Sequence, residues 1–290
     1  MKILVLGSNG QLGRCLRDQL APSGHEMVFL TRTNVDITDF DKVLDKIRQL
    51  NPDLIINAVA YTAVDEAEND QEQAYLVNQH AVGNLAEICA NFGCGLIHVS
   101  TDYVFDGRAT EPYSETDRTN PQGVYGGSKL LGEMAIQASG CQYIIVRTAW
   151  VFSEYGNNFL KTMLSLATKN NELSIVGDQI GCPTYAQDLA CVILRLSGYF
   201  QENEFKSGIV HYCGGEPCSW YQFALAIFEC AAHQGLSTPK LVKSIGTESY
   251  PTPAVRPAYS VMDCRSLYRK VQMPPSEWRR AIPLVLNKLL

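Results

Sequence analysis

The run Lys2-Ile3-Leu4-Val5-Leu6, followed at once by Gly7-Ser8-Asn9-Gly10-Gln11-Leu12-Gly13, decides the fold. An unbroken apolar run this short reads as a strand buried on both faces. The glycines at every third position let the backbone turn tightly and come close to a pyrophosphate, and Gly13 lets the next helix pack against the strand. That helix points its free N–H groups and its partial positive pole at the turn, which suits an anion.

The same alternation continues outward from this turn. Apolar runs predict strands over 2–6, 26–30, 53–57, 95–99 and 142–146. Amphipathic spacing predicts helices over 11–20, 40–50, 71–91 and 125–138. Buried strands separated by helices of this length pair in parallel, with helices on both faces, so the fold class is α/β, a doubly wound parallel sheet of Rossmann type. The period breaks after Val151, where glycine and proline become denser (Gly177, Gly181, Pro183, Gly214, Gly215, Pro217, Pro251, Pro253, Pro257) around helices expected over 159–167, 186–196 and 220–232. This pattern predicts a dinucleotide-binding domain over 1–150, to which 183–213 returns, and a smaller interleaved substrate lobe over 151–182 and 214–290.

Composition removes several function classes. With 46% hydrophobic and 19% charged residues, the 290-residue chain can bury a large core without disulfides, so wholly disordered and low-complexity readings fail. Its net charge of −6, with no basic block, argues against a nucleic-acid partner. No apolar run approaches the ~18 residues that span a bilayer, so no membrane partner is expected. The apolar stretch Ile3 to Leu6 ends at Gly7, too short for an export signal. The ten cysteines include no C-x-x-C pair and no zinc spacing, so reduced thiols, a cytoplasmic location and no metal site are expected.

The end of the second strand selects between dinucleotides, because an acid there holds the ribose 2′-hydroxyl and an arginine accommodates a 2′-phosphate. Leu30-Thr31-Arg32-Thr33 places Arg32 there, with no acid before Asp36. NADPH is therefore the expected cofactor, with NADH possible. Tyr125 and Lys129 stand four apart at the start of a helix and share a face. A tyrosine is a poor proton donor at neutral pH unless a nearby cation lowers its pKa. Ser100 and Thr101 follow the strand over 95–99, at the carboxyl edge where such sheets bind ligands, and either hydroxyl can hydrogen-bond a carbonyl oxygen.

With these residues in view, the chain resembles the extended short-chain dehydrogenase/reductases, most closely their sugar-nucleotide reductase branch. The resemblance rests on GSNGQLG from Gly7, NAVAYTAVDEAE from Asn57, STDYVFDG from Ser100, VYGGSKLLGE from Val124, RTAWVF from Arg147, GCPTYAQDLA from Gly181 and RPAYSVMD from Arg256. It implies that Thr101, Tyr125 and Lys129 are the catalytic trio, with Tyr125 as proton donor and Lys129 holding the ribose. It implies that Gly10, Gln11 and Leu12 hold the pyrophosphate. Asp36, Ile37, Ala58, Val59, Ala60 and Tyr61 would line the adenine and ribose side, and Val99 the nicotinamide approach. Asp102 and Trp150 would contact the substrate. The implied reaction is NAD(P)H-dependent reduction of the C4 keto group of dTDP-4-dehydro-6-deoxy-L-mannose to dTDP-L-rhamnose. Members that bind Mg²⁺ carry a glutamate near the position of Cys15, which this chain lacks, so Mg²⁺ is doubtful and a monomer or weak homodimer is expected.

Two other readings share the scaffold. A sugar-nucleotide dehydratase or epimerase is one, but dehydratases follow the catalytic threonine with Asp-Glu, whereas Thr101 precedes Asp102-Tyr103. The other is a non-catalytic regulatory subunit resembling that of methionine adenosyltransferase, against which the intact Thr101, Tyr125 and Lys129 argue. His98 and Tyr61 are expected to serve packing or hydrogen bonding rather than acid–base chemistry, and the aromatic group Trp220, Tyr221 and Phe223 to be core.

Overall fold

A computed structural model describes residues 1–201 and 206–290. Strand β1 (Lys2–Leu6) leads into helix α1 (Gln11–Asp18), β2 (Glu26–Leu30), α2 (Phe40–Leu50), β3 (Leu54–Asn57), α3 (Ala81–Phe92), β4 (Gly95–Thr101), α4 (Val124–Ala138) and β5 (Tyr143–Thr148). Beyond these come α5 (Phe159–Ala167), β6 (Glu172–Val176), α6 (Ala186–Ser197), β7 (Gly208–His211), α7 (Trp220–His233), β8 (Leu241–Ile245) and α8 (Trp278–Leu289). Six strands form one parallel sheet in the order β7-β5-β4-β3-β1-β2. The order reverses at β1, which opens a crevice at the carboxyl ends of β1 and β3.

Successive side chains of a strand point to opposite faces, so β1 feeds two cores. Ile3 and Val5 pack with Leu54, Ile56, Ile97 and Val146 beneath α1 and α6. Leu4 and Leu6 pack with Ile55, Leu96 and Ile145 beneath α2 and α3. Both sets are almost fully buried, which is why these strands read as continuous apolar runs. Leu267 and Val271, from the short helix Arg265–Val271, also join the first core. A third core gathers Phe152, Leu160, Phe223, Ile227, Trp278 and Ile282 under α5, α7 and α8. Its flank carries the small parallel pair β6 and β8. No helix among the described residues is long and apolar enough to cross a membrane. All ten cysteines are free thiols.

Two departures from the sequence reading shape the site. The strand expected over 95–99 runs on to Thr101, because Ser100 and Thr101 stay in register with Arg147 and Thr148 of β5. The helix expected over 71–91 contains a π turn at Leu76–His80, and π turns often occur at functional sites. The turn buries the Asn78 side chain, whose Oδ1 accepts the Tyr61 N–H at 2.9 Å. The Asn78 amide nitrogen donates to the Tyr61 carbonyl at 3.1 Å and to Ser128 Oγ at 3.0 Å. One amide thus ties the loop after β3 to α4.

Candidate active site

The glycine turn is built for close approach. Gly7 adopts φ +81°, and a Cβ there would lie 2.9 Å from the Ala58 backbone. A Cβ on Gly13 would meet Gly7 O at 2.4 Å, so the third glycine seats α1 on the strand. Gly10 caps α1 with no side-chain hydrogen bond, and the first turn holds no acid, which leaves its N–H groups open to an anion. A cavity of about 380 Å³ opens beside it. Of the residues singled out in the sequence, Gly7, Gly10, Arg32, Asp36, Ile37, Ala58, Val59, Ala60 and Tyr61 line this cavity. Asn9, from within the glycine motif, also lines it, as do Val35, Gln73 and Val77, which carried no sequence signal. These features fit a dinucleotide: a backbone cradle for phosphate and an apolar trough for a base.

Gln11, Leu12 and Gly13 contribute otherwise. The Leu12 side chain is core. Gln11 Oε1 accepts from Ser153 Oγ at 3.0 Å and Asn158 Nδ2 at 2.9 Å, which ties α1 to the segment before α5. None of the three lines the cavity beside the glycine turn, though their N–H groups lie in the open first turn of α1. The Arg32 side chain is 80% exposed and its Nε meets Asp36 Oδ2 at 3.0 Å, so the cation stands at the rim with an acid already beside it.

The reaction centre sits where β4 meets α4. Thr101, the last residue of β4, donates to Asp102 Oδ1 at 3.0 Å and accepts the Tyr103 N–H at 3.2 Å. Tyr125 is half-buried, with the Tyr103 ring edge-on at 5.5 Å. Burial pushes the Tyr125 phenol well above its ordinary range, and a hydrogen bond with the Thr101 side chain pulls the other way. The sequence reading had Lys129 lowering that pKa. Instead Lys129 directs its amine to the Val99 carbonyl at 2.7 Å and to His98 Nε2 at 3.0 Å. No hydrogen bond joins it to Tyr125 among the described residues. Burial brings Lys129 down to about 8, with the Glu133 carboxylate pulling it back up. Glu133 is itself buried, paired with Arg147 at 2.6 Å and accepting from Ser100 Oγ at 2.5 Å.

A second cavity, of about 390 Å³, opens on the far side of Tyr103. Tyr103, Phe159, Gln179, Trp220, Tyr250 and Arg256 are among its lining residues. Arg256 donates to the Tyr103 hydroxyl at 2.8 Å and to Asp65 at 2.5 Å. Trp150 takes φ +49° and stacks on Trp220 with ring centroids 3.4 Å apart. A Cβ on Gly181 would touch the Trp150 ring at 2.5 Å, so only glycine fits beneath it. Trp220 packs against the third core, as expected, and also lines the cavity, with Trp150 stacked behind it. Asp102 is buried, which raises its carboxyl to about 6, and its Oδ2 has no hydrogen-bond partner among the described residues. No group of three or more His, Cys, Asp or Glu placed to hold a metal occurs among the described residues.

The family model described as RmlD substrate binding domain matches residues 1–290. A protein named dTDP-4-dehydrorhamnose reductase from Aggregatibacter actinomycetemcomitans is 45% identical over 285 residues, covering 97% of each chain. The chain belongs to the dTDP-4-dehydrorhamnose reductase family. Two solved structures of that name superpose on it across nearly the whole chain. The one from Clostridium acetobutylicum has a TM-score of 0.91 at 38% identity, covering 100% of this chain and 99% of its own. The one from Bacillus anthracis, in complex with NADP, has a TM-score of 0.91 at 33% identity and covers 99% of each chain.

Proposed function

We propose that this protein reduces the C4 keto group of dTDP-4-dehydro-6-deoxy-L-mannose to give dTDP-L-rhamnose, with NADPH as the preferred cofactor. The observation that carries the proposal is that Thr101 and Tyr125 both contact Tyr103, a lining residue of the second cavity, at the carboxyl end of the sheet that also carries the glycine turn. The first cavity is lined by the glycine turn and the second by Tyr103, Trp220 and Arg256. Full-length kinship with proteins named for this reaction supports it.

Bound at the glycine turn, NADPH supplies the hydride. Gly7, Gly10 and the first turn of α1 hold the phosphates, and Arg32 at the rim meets the 2′-phosphate. The Tyr125 hydroxyl gives its proton to the substrate oxygen as the carbonyl carbon becomes tetrahedral. Burial raises the Tyr125 phenol pKa in the free protein, so Tyr125 enters the step protonated. Thr101 hydrogen-bonds the same oxygen, and Asp102, hydrogen-bonded to Thr101, is the neighbouring sugar contact in this reading. Trp220, backed by Trp150, covers the nucleotide portion, while the Arg256 guanidinium faces its phosphates. We read the working form as a monomer or weak homodimer, because Cys15 stands where Mg²⁺-binding members carry a glutamate.

The test is incubation with NADPH and enzymatically prepared dTDP-4-dehydro-6-deoxy-L-mannose, followed by identification of the product sugar by NMR. Stoichiometric dTDP-L-rhamnose with loss of the reduced nicotinamide absorbance is expected. A different epimer, or no consumption of NADPH with any 4-keto sugar nucleotide, would overturn the reading.

A further inference from the structure

Buried where β3, β4 and α4 meet lies a row of polar groups that the proposed chemistry leaves unused. Asn57 at the end of β3 and His98 in β4 are both fully buried, and Lys129 nearly so. The Val59 N–H donates to Asn57 Oδ1 at 3.0 Å. That contact fixes the amide with its nitrogen toward His98 Nδ1, 3.1 Å away. An amide nitrogen only donates, so Nδ1 must accept, and the neutral ring carries its proton on Nε2. That N–H faces Lys129 Nζ at 3.0 Å. An ammonium has no lone pair to receive it, whereas an amine has one.

We propose that Asn57 and His98 are a positioning pair that holds Lys129 as an uncharged amine in the free enzyme, so that the lysine takes up its proton only when cofactor draws it away from His98. In this state every bond in the row closes: Val59 to Asn57, Asn57 to His98, His98 to Lys129, and Lys129 to the Val99 carbonyl. Any arrangement with an ammonium sets two donors against each other. Flipping the Asn57 amide sets its nitrogen against the Val59 N–H, and a doubly protonated ring opposes both neighbours. The other titratable groups facing Lys129 do not reverse this. Tyr125 lies one turn back on α4 with its phenol pKa raised. Glu133, one turn on, is engaged by Arg147 from β5 and Ser100 from β4. Burial lowers the pKa of Lys129 and holds His98 well below its ordinary value, which keeps the ring neutral. The proton gained on cofactor binding comes from solvent, converting amine to ammonium beside Tyr125, where a cation is needed to ease loss of the phenolic proton.

The inference rests on the reductase reading, but its first test does not use activity. In the ¹⁵N-labelled, ligand-free protein at neutral pH, the ring signals of His98, assigned by their loss in His98→Gln, should show the Nε2–H tautomer. An Nδ1–H tautomer or an imidazolium would overturn the proposal. Asn57→Asp supplies a carboxylate that accepts from both Val59 and His98 Nδ1–H, so the tautomer should reverse. The alkaline midpoint of NADPH affinity should then rise by a full pH unit or more, a tenfold gain above the wild-type midpoint. An unchanged tautomer and midpoint in the folded variant would also overturn it. If Asn57→Asp does not fold, the wild-type tautomer decides alone. Failure of NADPH to bind at all would sink the reductase reading and leave the tautomer result standing.

Discussion

The two cavities are built on opposite plans. The nucleotide-side crevice is built mainly on the glycine turn and consecutive strand ends: Gly7 and Gly10 after β1, Arg32 to Ile37 after β2, Ala58 to Tyr61 after β3, with Gln73 and Val77 from the helical segment beyond. The second cavity is made of large side chains from segments far apart in the chain: Asp65, Tyr103, Phe159, Gln179, Trp220 and Arg256. The first depends on backbone shape and tolerates little added volume. The second depends on side-chain surface, so its losses should be graded. Tyr125 and Thr101 belong to neither lining and should control chemistry without controlling binding.

The largest effect should come from these two residues. Tyr125→Phe removes only a hydroxyl, so turnover should fall by about 10²–10⁴ with NADPH affinity nearly unchanged. Single-turnover kinetics beside a binding titration would show it, and parallel losses in both would place Tyr125 in the crevice instead.

Gly13→Ala tests the crevice. Its Cβ would sit 2.4 Å from Gly7 O and 2.5 Å from Ser8 Cα, both backbone atoms that cannot swing aside. Overpacking of this kind costs about 1–3 kcal/mol. Urea unfolding should register that loss, and NADPH affinity should drop with it; an unperturbed NADPH titration would show that the turn does not hold the cofactor.

Arg32→Ala tests the rim. Losing a charge-assisted contact worth about 1.5–3 kcal/mol should cut the preference for NADPH over NADH by about tenfold to a hundredfold. Because Asp36 already pairs with Arg32, the lower end is expected. An unchanged ratio of kcat/KM values removes Arg32 from cofactor choice.

Trp220→Ala should be the mildest. Breaking an aromatic stack is worth about 0.5–1.5 kcal/mol, so KM for the sugar nucleotide should rise by a few fold to about tenfold. NADPH affinity should not move. A change confined to NADPH would invert the assignment of the two cavities.

The same contrast explains what could be read in the sequence. The crevice was legible because glycine spacing, a buried strand and a helix start are local and periodic, and Lys2 to Gly13 contain all three. Tyr125 and Lys129 were legible as a pair because helical spacing puts them on one face. Their partners were not, because the bond from Lys129 to His98 depends on β4 lying beside α4, and no sequence period encodes that. Trp220 read as core because an aromatic cluster at helical spacing has one pattern whether it packs inward or lines a cavity. Only Gly181, which leaves room for Trp150 beneath it, separates the two, and that contact joins residues far apart in the chain. The pairing of β6 with β8 was hidden for another reason. Both strands carry polar residues on an exposed flank, so neither shows an apolar run.

The central claim is that Thr101 and Tyr125 meet a substrate carbonyl beside a nicotinamide held by the glycine turn. A crystal structure of the protein with NADP and dTDP-L-rhamnose tests it most directly. The Tyr125 hydroxyl should lie within about 2.5–3.0 Å of the sugar O4, with the nicotinamide C4 about 3–3.5 Å from the sugar C4. A dinucleotide bound away from Gly7 and Gly10, or a sugar whose C4 faces neither Tyr125 nor Thr101, would contradict it.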